Sequence, residues 1–145
     1  MTKIKMTEKF KILTEFVKDM SSETPNLETY LYVKEYLKNY NLNIDISTKP
    51  LKNRIIEVST KLTYMDKGKS KNKSYFEIIY ASIVKIDEQI KDRKIIEKII
   101  LCDVQKEIYP NLEKVFINLL TNSGFPGIKF EKKVDFEQLY NQKLN

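Results

Sequence analysis

Residues 55–86 decide the fold, and they read IIEVSTKLTYMDKGKSKNKSYFEIIYASIVKI. Between 56 and 64, apolar or β-branched side chains alternate with polar ones, as in a strand with one covered face. The lysine-rich run KGKSKNK at 67–73 then holds the turn-forming residues Gly68, Ser70 and Asn72. Apolar sequence resumes at Tyr75 and continues to Ile86. The stretch therefore predicts two strands joined by a solvated hairpin loop.

The second of these strands is apolar on both of its faces. Ile78, Tyr80 and Val84 alternate with Ile79 and Ile83, so neither face is polar. Strands of this kind are typical of sheets that are covered on both sides. We expect helices of the same chain to cover one face and a second subunit to cover the other.

Two more strands are predicted upstream of this hairpin. In residues 10–17 an alternating pattern places one set of side chains on a common face: Phe10, Ile12, Thr14 and Phe16. In residues 42–47 the apolar members of the pattern are Leu42, Ile44 and Ile46. The sequence therefore predicts four strands in its first half.

A long connection, about residues 20–41, separates the first two strands. It begins with SSETPN at 21–26 and then carries four tyrosines: Tyr30, Tyr32, Tyr36 and Tyr40. Long connections without secondary structure are uncommon and usually functional. Aromatic side chains suit binding surfaces, so the group suggests a groove for apolar or aromatic segments. The alternative is that these tyrosines simply cover the sheet.

The second half is expected to be helical. Helical spacing relates Ile96, Ile99, Ile100 and Val104, and a second apolar stripe runs over 112–120 after an interruption at Pro110. A last short helix is expected to begin at the N-cap Asp135. Strands followed by helices predict one α+β domain over residues 1–145, with an antiparallel sheet and helices on one face.

Composition excludes several kinds of chemistry. The 145 residues contain no histidine, three glycines and one cysteine. Triads with histidine, histidine-ligated zinc, phosphate-binding glycine loops and internal disulfides are therefore excluded. Cys102 lies in a helical apolar stretch and is interpreted as a core residue. We expect no enzyme activity, no cofactor and no metal.

Charge and hydropathy bear on partners and location. The net charge is +6, which keeps a basic nucleic-acid-binding module open as an alternative. The lysines alternate with acids, however, as on an ordinary solvated surface. An enzyme that uses carboxylates, such as Asp87 and Glu88, is a weaker alternative. No apolar run approaches the roughly 18 residues of a membrane span, so a cytoplasmic protein without membrane insertion is expected.

Six segments stand out along the chain: FVKDMSSETPN at 16–26, LNIDIST at 42–48, FEI at 76–78, YPN at 109–111, GFP at 124–126 and VDFEQLY at 134–140. Together, and in the same order, they resemble the motifs of a known family, the SecB protein-export chaperones. The similarity extends over about residues 9–144. It implies a SecB-like fold: a four-stranded sheet with a long first crossover.

The resemblance also implies a function. SecB-like proteins are holdase chaperones that bind unfolded preproteins without ATP, assemble as dimers of dimers and pass clients to the motor SecA. By this resemblance, a client-binding groove is expected at Tyr36, Leu42, Ile44, Ile46, Phe136, Leu139 and Tyr140. The SecA contact is expected at Asp19, Glu23, Tyr75 and Glu77.

Two features depart from the family pattern. SecB proteins are usually strongly acidic, whereas this chain is basic overall. The segment between Pro110 and Gly124 is also shorter than in the family and has VFIN at 115–118 in place of an F-P-Y-x-R stretch. Some SecB-like chaperones serve toxin–antitoxin systems by binding an antitoxin. The resemblance therefore leaves two clients open, preproteins and an antitoxin, and two assemblies, dimer and tetramer.

Overall fold

Four antiparallel strands, with helices on one of their faces, form the fold. The computed structural model describes residues 9–66, 73–130 and 134–144. Its strands lie in the sheet order β1-β4-β3-β2: β1 (Phe10–Glu23), β2 (Asn41–Pro50), β3 (Ile55–Met65) and β4 (Tyr75–Ile86). Its helices are α1 (Leu27–Tyr36), α2 (Arg93–Lys98), α3 (Val104–Asn122) and α4 (Phe136–Leu144). The predicted α+β class, with an antiparallel sheet and a long first crossover, is confirmed.

Two hairpins place β2, β3 and β4 side by side. Thr60 in the middle of β3 lies opposite Ile46 of β2 on one side and opposite Tyr80 of β4 on the other. The turn between β2 and β3 contains Asn53 and Arg54, both in the left-handed region at φ 60° and 62°. Tight hairpin turns need such residues, because their twist then matches that of the strands. The predicted lysine-rich loop falls largely on residues 67–72, which lie outside the described residues.

The core lies between α3 and one face of the sheet, called here the inner face. Alternate residues of β3 and β4 are buried there: Val58, Leu62, Phe76, Ile78 and Val84. From α3, one apolar stripe meets them: Ile108, Leu112, Phe116 and Leu120. The opposite, outer face of β4 carries Ile79 and Ile83, which are partly exposed in the single chain. The helices of this chain thus cover one of the two apolar faces of β4.

The alternation predicted for β1 breaks at two register shifts. The pairing with β4 shifts between Ile12 and Thr14 and again between Val17 and Asp19. Each such irregularity inserts a residue and moves the following side chains to the other face. Phe16 consequently lies opposite Ala81 on the outer face instead of sharing the inner face with Ile12.

The tyrosine-rich connection is a helix rather than an irregular loop. β1 continues to Glu23, and α1 begins after Asn26, whose side-chain oxygen accepts a hydrogen bond from the Thr29 backbone N–H at 2.8 Å. Thr29, Val33 and Leu37 recur every fourth residue and are buried against the core. The tyrosines lie between these positions, so the apolar residues of the segment do not follow a clear helical period in the sequence. A 3-10 turn, Leu37–Asn39, follows α1.

The helical half also differs from the sequence prediction. Pro110 lies inside α3, which runs without interruption from Val104 to Asn122. Both Pro110 and Lys106, one turn earlier, are exposed, so water can reach the carbonyl that proline leaves without its N–H partner. A five-residue π-helical turn, Ile99–Asp103, joins α2 to α3 and was not predicted. We call it the π turn.

Candidate functional site

A cavity of about 260 Å³ lies where the edge strand β2 faces α4 and the π turn. Six apolar or aromatic residues and one acid line it: Ile44, Ile46, Leu101, Phe136, Leu139, Tyr140 and Asp45. Ile44 and Ile46 face it because β2 alternates half-buried apolar residues with exposed polar ones. The structure therefore brings together five of the seven residues predicted for the groove.

α4 supplies one wall of this cavity; it is capped at its start and held to α3 by two contacts. Asp135 caps the helix by accepting a hydrogen bond from the Gln138 backbone N–H at 3.1 Å. Phe136 is only 3% exposed, and its ring lies edge-on to Tyr109 with 5.4 Å between centroids. Glu137 forms an exposed ion pair with Lys106 at 2.9 Å. With Phe136 anchored in this way, Leu139 remains 42% exposed at the cavity.

A second cavity, of about 490 Å³, continues from the first along β2. The two share Ile46 and Leu101, and the second adds residues of β2, α2 and the π turn: Ser47, Thr48, Arg93, Ile96, Glu97 and Ile100. We call these two adjacent cavities the β2 groove. The groove has an apolar floor with acidic and basic groups near its walls, a surface suited to an extended, mostly apolar segment.

Sequence reasoning missed the wall that α2 and the π turn provide. Ile96 and Ile100 were identified as members of a helical stripe, but no role in the groove was predicted for them. Leu101 lies next to that stripe, not on it, and an α-helical period gives no reason to turn it toward β2. The π turn has a wider period and places Leu101 in both cavities.

Two predicted groove residues lie elsewhere. Leu42 shares the inner face of β2 but packs against the core, opposite Tyr64, and lines neither cavity. Tyr36 lies at the end of α1, is 37% exposed and packs against Tyr32 with 4.6 Å between ring centroids and a tilt of 41° between the rings. The structure does not bring Tyr36 to the β2 groove.

The other tyrosines of the connection separate into two settings. Tyr40 is buried, and its hydroxyl donates to the Ser74 carbonyl at 3.0 Å, while burial raises its pKa. Tyr30 stacks on Phe125 at 5.1 Å and donates to the Gly124 carbonyl at 2.9 Å. Tyr30 also lines a separate cavity of about 620 Å³ between α1 and the chain that follows α3. The tyrosines therefore do not form one groove, because some of them cover the sheet.

The residues predicted to contact SecA share one end of the outer face. Glu23 lies opposite Tyr75, and Asp19 lies opposite Ile79 in the register of β1 and β4. Glu77 occupies the next outer position of β4 after Tyr75. We call Asp19, Glu23, Tyr75 and Glu77 the β1–β4 patch. Asp19 and Glu23 are exposed.

Glu77 differs from the other acids of this patch because it already has partners. It accepts a hydrogen bond from the Tyr75 hydroxyl at 2.5 Å and lies 3.4 Å from the Lys61 ammonium. The hydrogen bond to the carboxylate stabilises the neutral phenol and raises the pKa of Tyr75. Lys18 and Glu57 form a further ion pair at 2.5 Å on the same face, and that hydrogen bond lowers the pKa of Glu57. The charge available to a partner is therefore mainly that of Asp19 and Glu23.

Metal sites and membrane spans are both absent from the described part of the chain. Within residues 9–66, 73–130 and 134–144, no three His, Cys, Asp or Glu side chains are grouped closely enough to hold a metal ion. No helix in those ranges is both long and apolar enough to cross a membrane. The only cysteine, Cys102, is fully buried, and burial raises the pKa of its thiol.

A family model and the curated relatives that match this chain point to the same family. The model of the family described as preprotein translocase subunit SecB matches residues 3–145. A putative protein-export protein SecB of Pelagibacter ubique is 57% identical over 140 residues, which is 97% of this chain and 100% of that protein. A protein-export protein SecB of Parvibaculum lavamentivorans is 26% identical over 92% of this chain and 77% of its own length.

One solved structure has a similar fold at low sequence identity. It is a SecB-like chaperone of Mycobacterium tuberculosis in complex with a ChAD peptide from an antitoxin. The TM-score is 0.68, with 9% identity, and the match covers 90% of this chain and 95% of the other. This likeness bears on the fold.

Proposed function

Because the chain belongs to the SecB family of protein-export chaperones, we propose that it holds unfolded preproteins in the β2 groove and delivers them to SecA in the cytoplasm. The holding step would need no ATP. Proteins of this family are chaperones, not enzymes, and they act by binding client polypeptides.

The observation that supports holding most strongly is the apolar lining of the β2 groove. Six apolar or aromatic side chains from β2, the π turn and α4 line the smaller cavity: Ile44, Ile46, Leu101, Phe136, Leu139 and Tyr140. A client exposes apolar segments of matching character only while it is unfolded. Burial of each methylene contributes about 0.8 kcal/mol, so such segments would be bound and the unfolded state favoured by mass action.

Leu139 offers a direct test of this site. Replacement by aspartate puts a charge on the apolar wall without a core defect, because the side chain is 42% exposed. We expect Leu139→Asp to weaken client binding by about tenfold, which corresponds to about 1.4 kcal/mol. Suppression of aggregation of an unfolded substrate, without ATP, is the measurement.

Leu27→Asp is the matched control for that variant. Leu27 is a leucine on α1 that is 69% exposed and lines neither cavity of the β2 groove. It should leave holdase activity unchanged. Equal activity of wild type and Leu139→Asp would contradict the assignment of clients to the β2 groove.

Delivery to SecA would use the β1–β4 patch on the outer face. In SecB proteins, acids on this face meet the basic tail of SecA, and Asp19 and Glu23 are exposed here. The patch and the β2 groove lie on different parts of the sheet, because one faces away from the helices and the other faces them. One molecule could therefore hold a client and contact the motor at the same time.

An antitoxin is the second candidate client. The observation that favours it is the fold shared with a chaperone whose structure contains an antitoxin peptide. An aggregation-prone antitoxin tail would use the same apolar chemistry as a preprotein. Two measurements separate the candidates: competition between the two kinds of peptide for the wild-type protein, and binding of the protein to SecA. A chaperone dedicated to an antitoxin should bind the antitoxin tail more tightly than the preprotein peptide and should not bind SecA.

Nucleic-acid binding is a further candidate because of the +6 charge. Contacts to six to ten phosphates lose about 10³–10⁵-fold in affinity between 50 and 200 mM salt, whereas apolar contacts do not. Holdase activity that persists at 200 mM salt supports the chaperone. Tight, salt-sensitive duplex binding without holdase activity would support the nucleic-acid module instead.

A further inference from the structure

The π turn is an irregularity in the helical wall of the β2 groove. Within it, the Val104 backbone N–H donates to the Ile99 carbonyl, five residues back, in place of the four of an α-helix. Ile99 and Cys102 are almost completely buried, whereas Leu101 points into the groove. Turns of this type are rare in helices and frequently lie at functional sites.

A buried polar pair connects the π turn to the sheet. Gln105, in the first turn of α3, is fully buried, and its amide nitrogen donates to the Ile100 carbonyl at 3.4 Å. Its amide oxygen accepts from the Thr60 hydroxyl at 3.0 Å, and Thr60 is fully buried as well. An amide in an apolar core destabilises the fold unless it is hydrogen-bonded. The position therefore favours Gln105 only while both of these partners are in place.

The same pair spans the two sides of the groove. Thr60 on β3 lies directly opposite Ile46 on β2, and Ile100 precedes Leu101 in the π turn. Ile46 and Leu101 are the two residues that line both cavities. The chain of contacts from Thr60 through Gln105 to Ile100 thus links the two walls just behind their shared lining residues.

We infer that Gln105 is a positioning residue of the β2 groove: its amide, anchored on Thr60, holds the π turn in the register that directs Leu101 toward Ile46. This inference rests on the proposed function of the groove. The expected consequence of losing the amide is geometric. Conversion of the π turn to an α-helix removes one residue from the turn and rotates α2 by about 100° relative to α3. Arg93, Ile96 and Glu97 would then leave the groove wall.

Three variants test the inference. Gln105→Met keeps an unbranched side chain but removes both hydrogen bonds of the amide. If this variant folds poorly, the double variant Gln105→Met with Thr60→Val takes its place, because it leaves no hydroxyl unpaired at position 60. Thr60→Ser keeps the hydroxyl donor. Tyr40→Phe is the control for general destabilisation, because it also removes two buried hydrogen bonds, both with the Ser74 backbone, at a residue that lines neither cavity of the groove.

Cys102 supplies a chemical probe inside the π turn. It is the only cysteine and is fully buried inside the turn, so a thiol reagent reacts with it only when this segment opens or changes register. We expect Cys102 to be labelled about tenfold faster in Gln105→Met than in Tyr40→Phe, when the two variants are compared under conditions of equal global stability. Thr60→Ser should retain the wild-type rate.

Client affinity is the second measurement, with a fluorescent unfolded polypeptide as the probe. Gln105→Met and its double variant should bind about tenfold more weakly than Tyr40→Phe. Equal labelling rates and equal affinities in these variants would overturn the inference, because Gln105 would then act on stability alone. If the wild-type protein binds no unfolded polypeptide, the proposed function fails, yet faster labelling of Cys102 would still support the role of Gln105 in the π turn.

Discussion

Gly124 shows how one residue joins two parts of the molecule. It follows α3 with φ +100°, and its carbonyl accepts a hydrogen bond from the Tyr30 hydroxyl of α1 at 2.9 Å. A Cβ atom at this position would lie 2.8 Å from a ring carbon of Tyr30. Glycine is required there for two reasons, the backbone conformation and the close approach of the ring.

Gly127 allows these two reasons to be separated. Its φ is +81°, but nothing lies within 4 Å of an added Cβ. We expect Gly127→Ala to lower the free energy of unfolding by about 1–3 kcal/mol through backbone strain alone. Gly124→Ala should lower it further, because the Tyr30 ring must also move. Urea unfolding of both variants measures the difference, and equal losses would show that the ring contact has no energetic weight.

At the level of single elements, the outer face of β1 and β4 carries the proposed motor contact. The sequence resemblance assigned equal roles to three acids, but Glu77 is already paired with Lys61 and Tyr75. Each exposed ion pair contributes only about 0–1 kcal/mol, so a single change should have little effect. Asp19 and Glu23 would act together, mainly on encounter and orientation.

Reversal of charge at these two positions tests that contact. We expect Asp19→Lys with Glu23→Lys to remove most of the affinity for a SecA C-terminal tail at low salt, and the addition of Glu77→Lys to remove the rest. Client binding in the β2 groove should be unchanged. Glu35→Lys with Glu88→Lys changes the net charge equally at exposed positions outside the patch and serves as the control. Absence of any affinity between the wild-type protein and the tail would reject SecA as the partner and favour the antitoxin.

At the scale of the whole molecule, β1 is an edge strand with unusual exposure of apolar groups. Four of its side chains are 40–47% exposed: Leu13, Phe16, Val17 and Met20. Short length is one means by which edge strands of monomeric proteins avoid pairing with another chain, and β1, with fourteen residues, lacks it. Together with the half-covered outer face of β4, this surface supports the proposal of a dimer of dimers, in which β1 contacts a second copy.

Light scattering measures that assembly directly. We expect a mass of at least twice the 17.2 kDa of one chain, and four times that mass for the tetramer. Val17→Glu with Met20→Glu should reduce the mass, since it places charges in the expected contact. The exposed leucine variant Leu27→Asp should not. A wild-type mass of 17.2 kDa throughout the micromolar range would contradict the proposal.

The sequence by itself determined which residue types are available for chemistry. It also determined the main layout of the fold. A chain without histidine and with only three glycines lacks the residues that several enzyme classes need, wherever its segments fold. Strand and helix periods of two and 3.6 residues identified the sheet and the helical half, because such periods repeat over many residues. The groove residues from β2 and α4 were found through the family resemblance, since their motifs lie in two continuous segments.

Only the tertiary structure decided the features in which a strand or a helix contains one extra residue. The register shifts of β1 move Phe16 to the outer face, and the π turn moves Leu101 into the groove, but neither changes the composition of the segment. The π turn is held by Gln105, whose amide is anchored on Thr60, 45 residues away in the chain. A local pattern cannot contain such a partner, because the energy that selects the irregular turn comes from a buried hydrogen bond between distant segments.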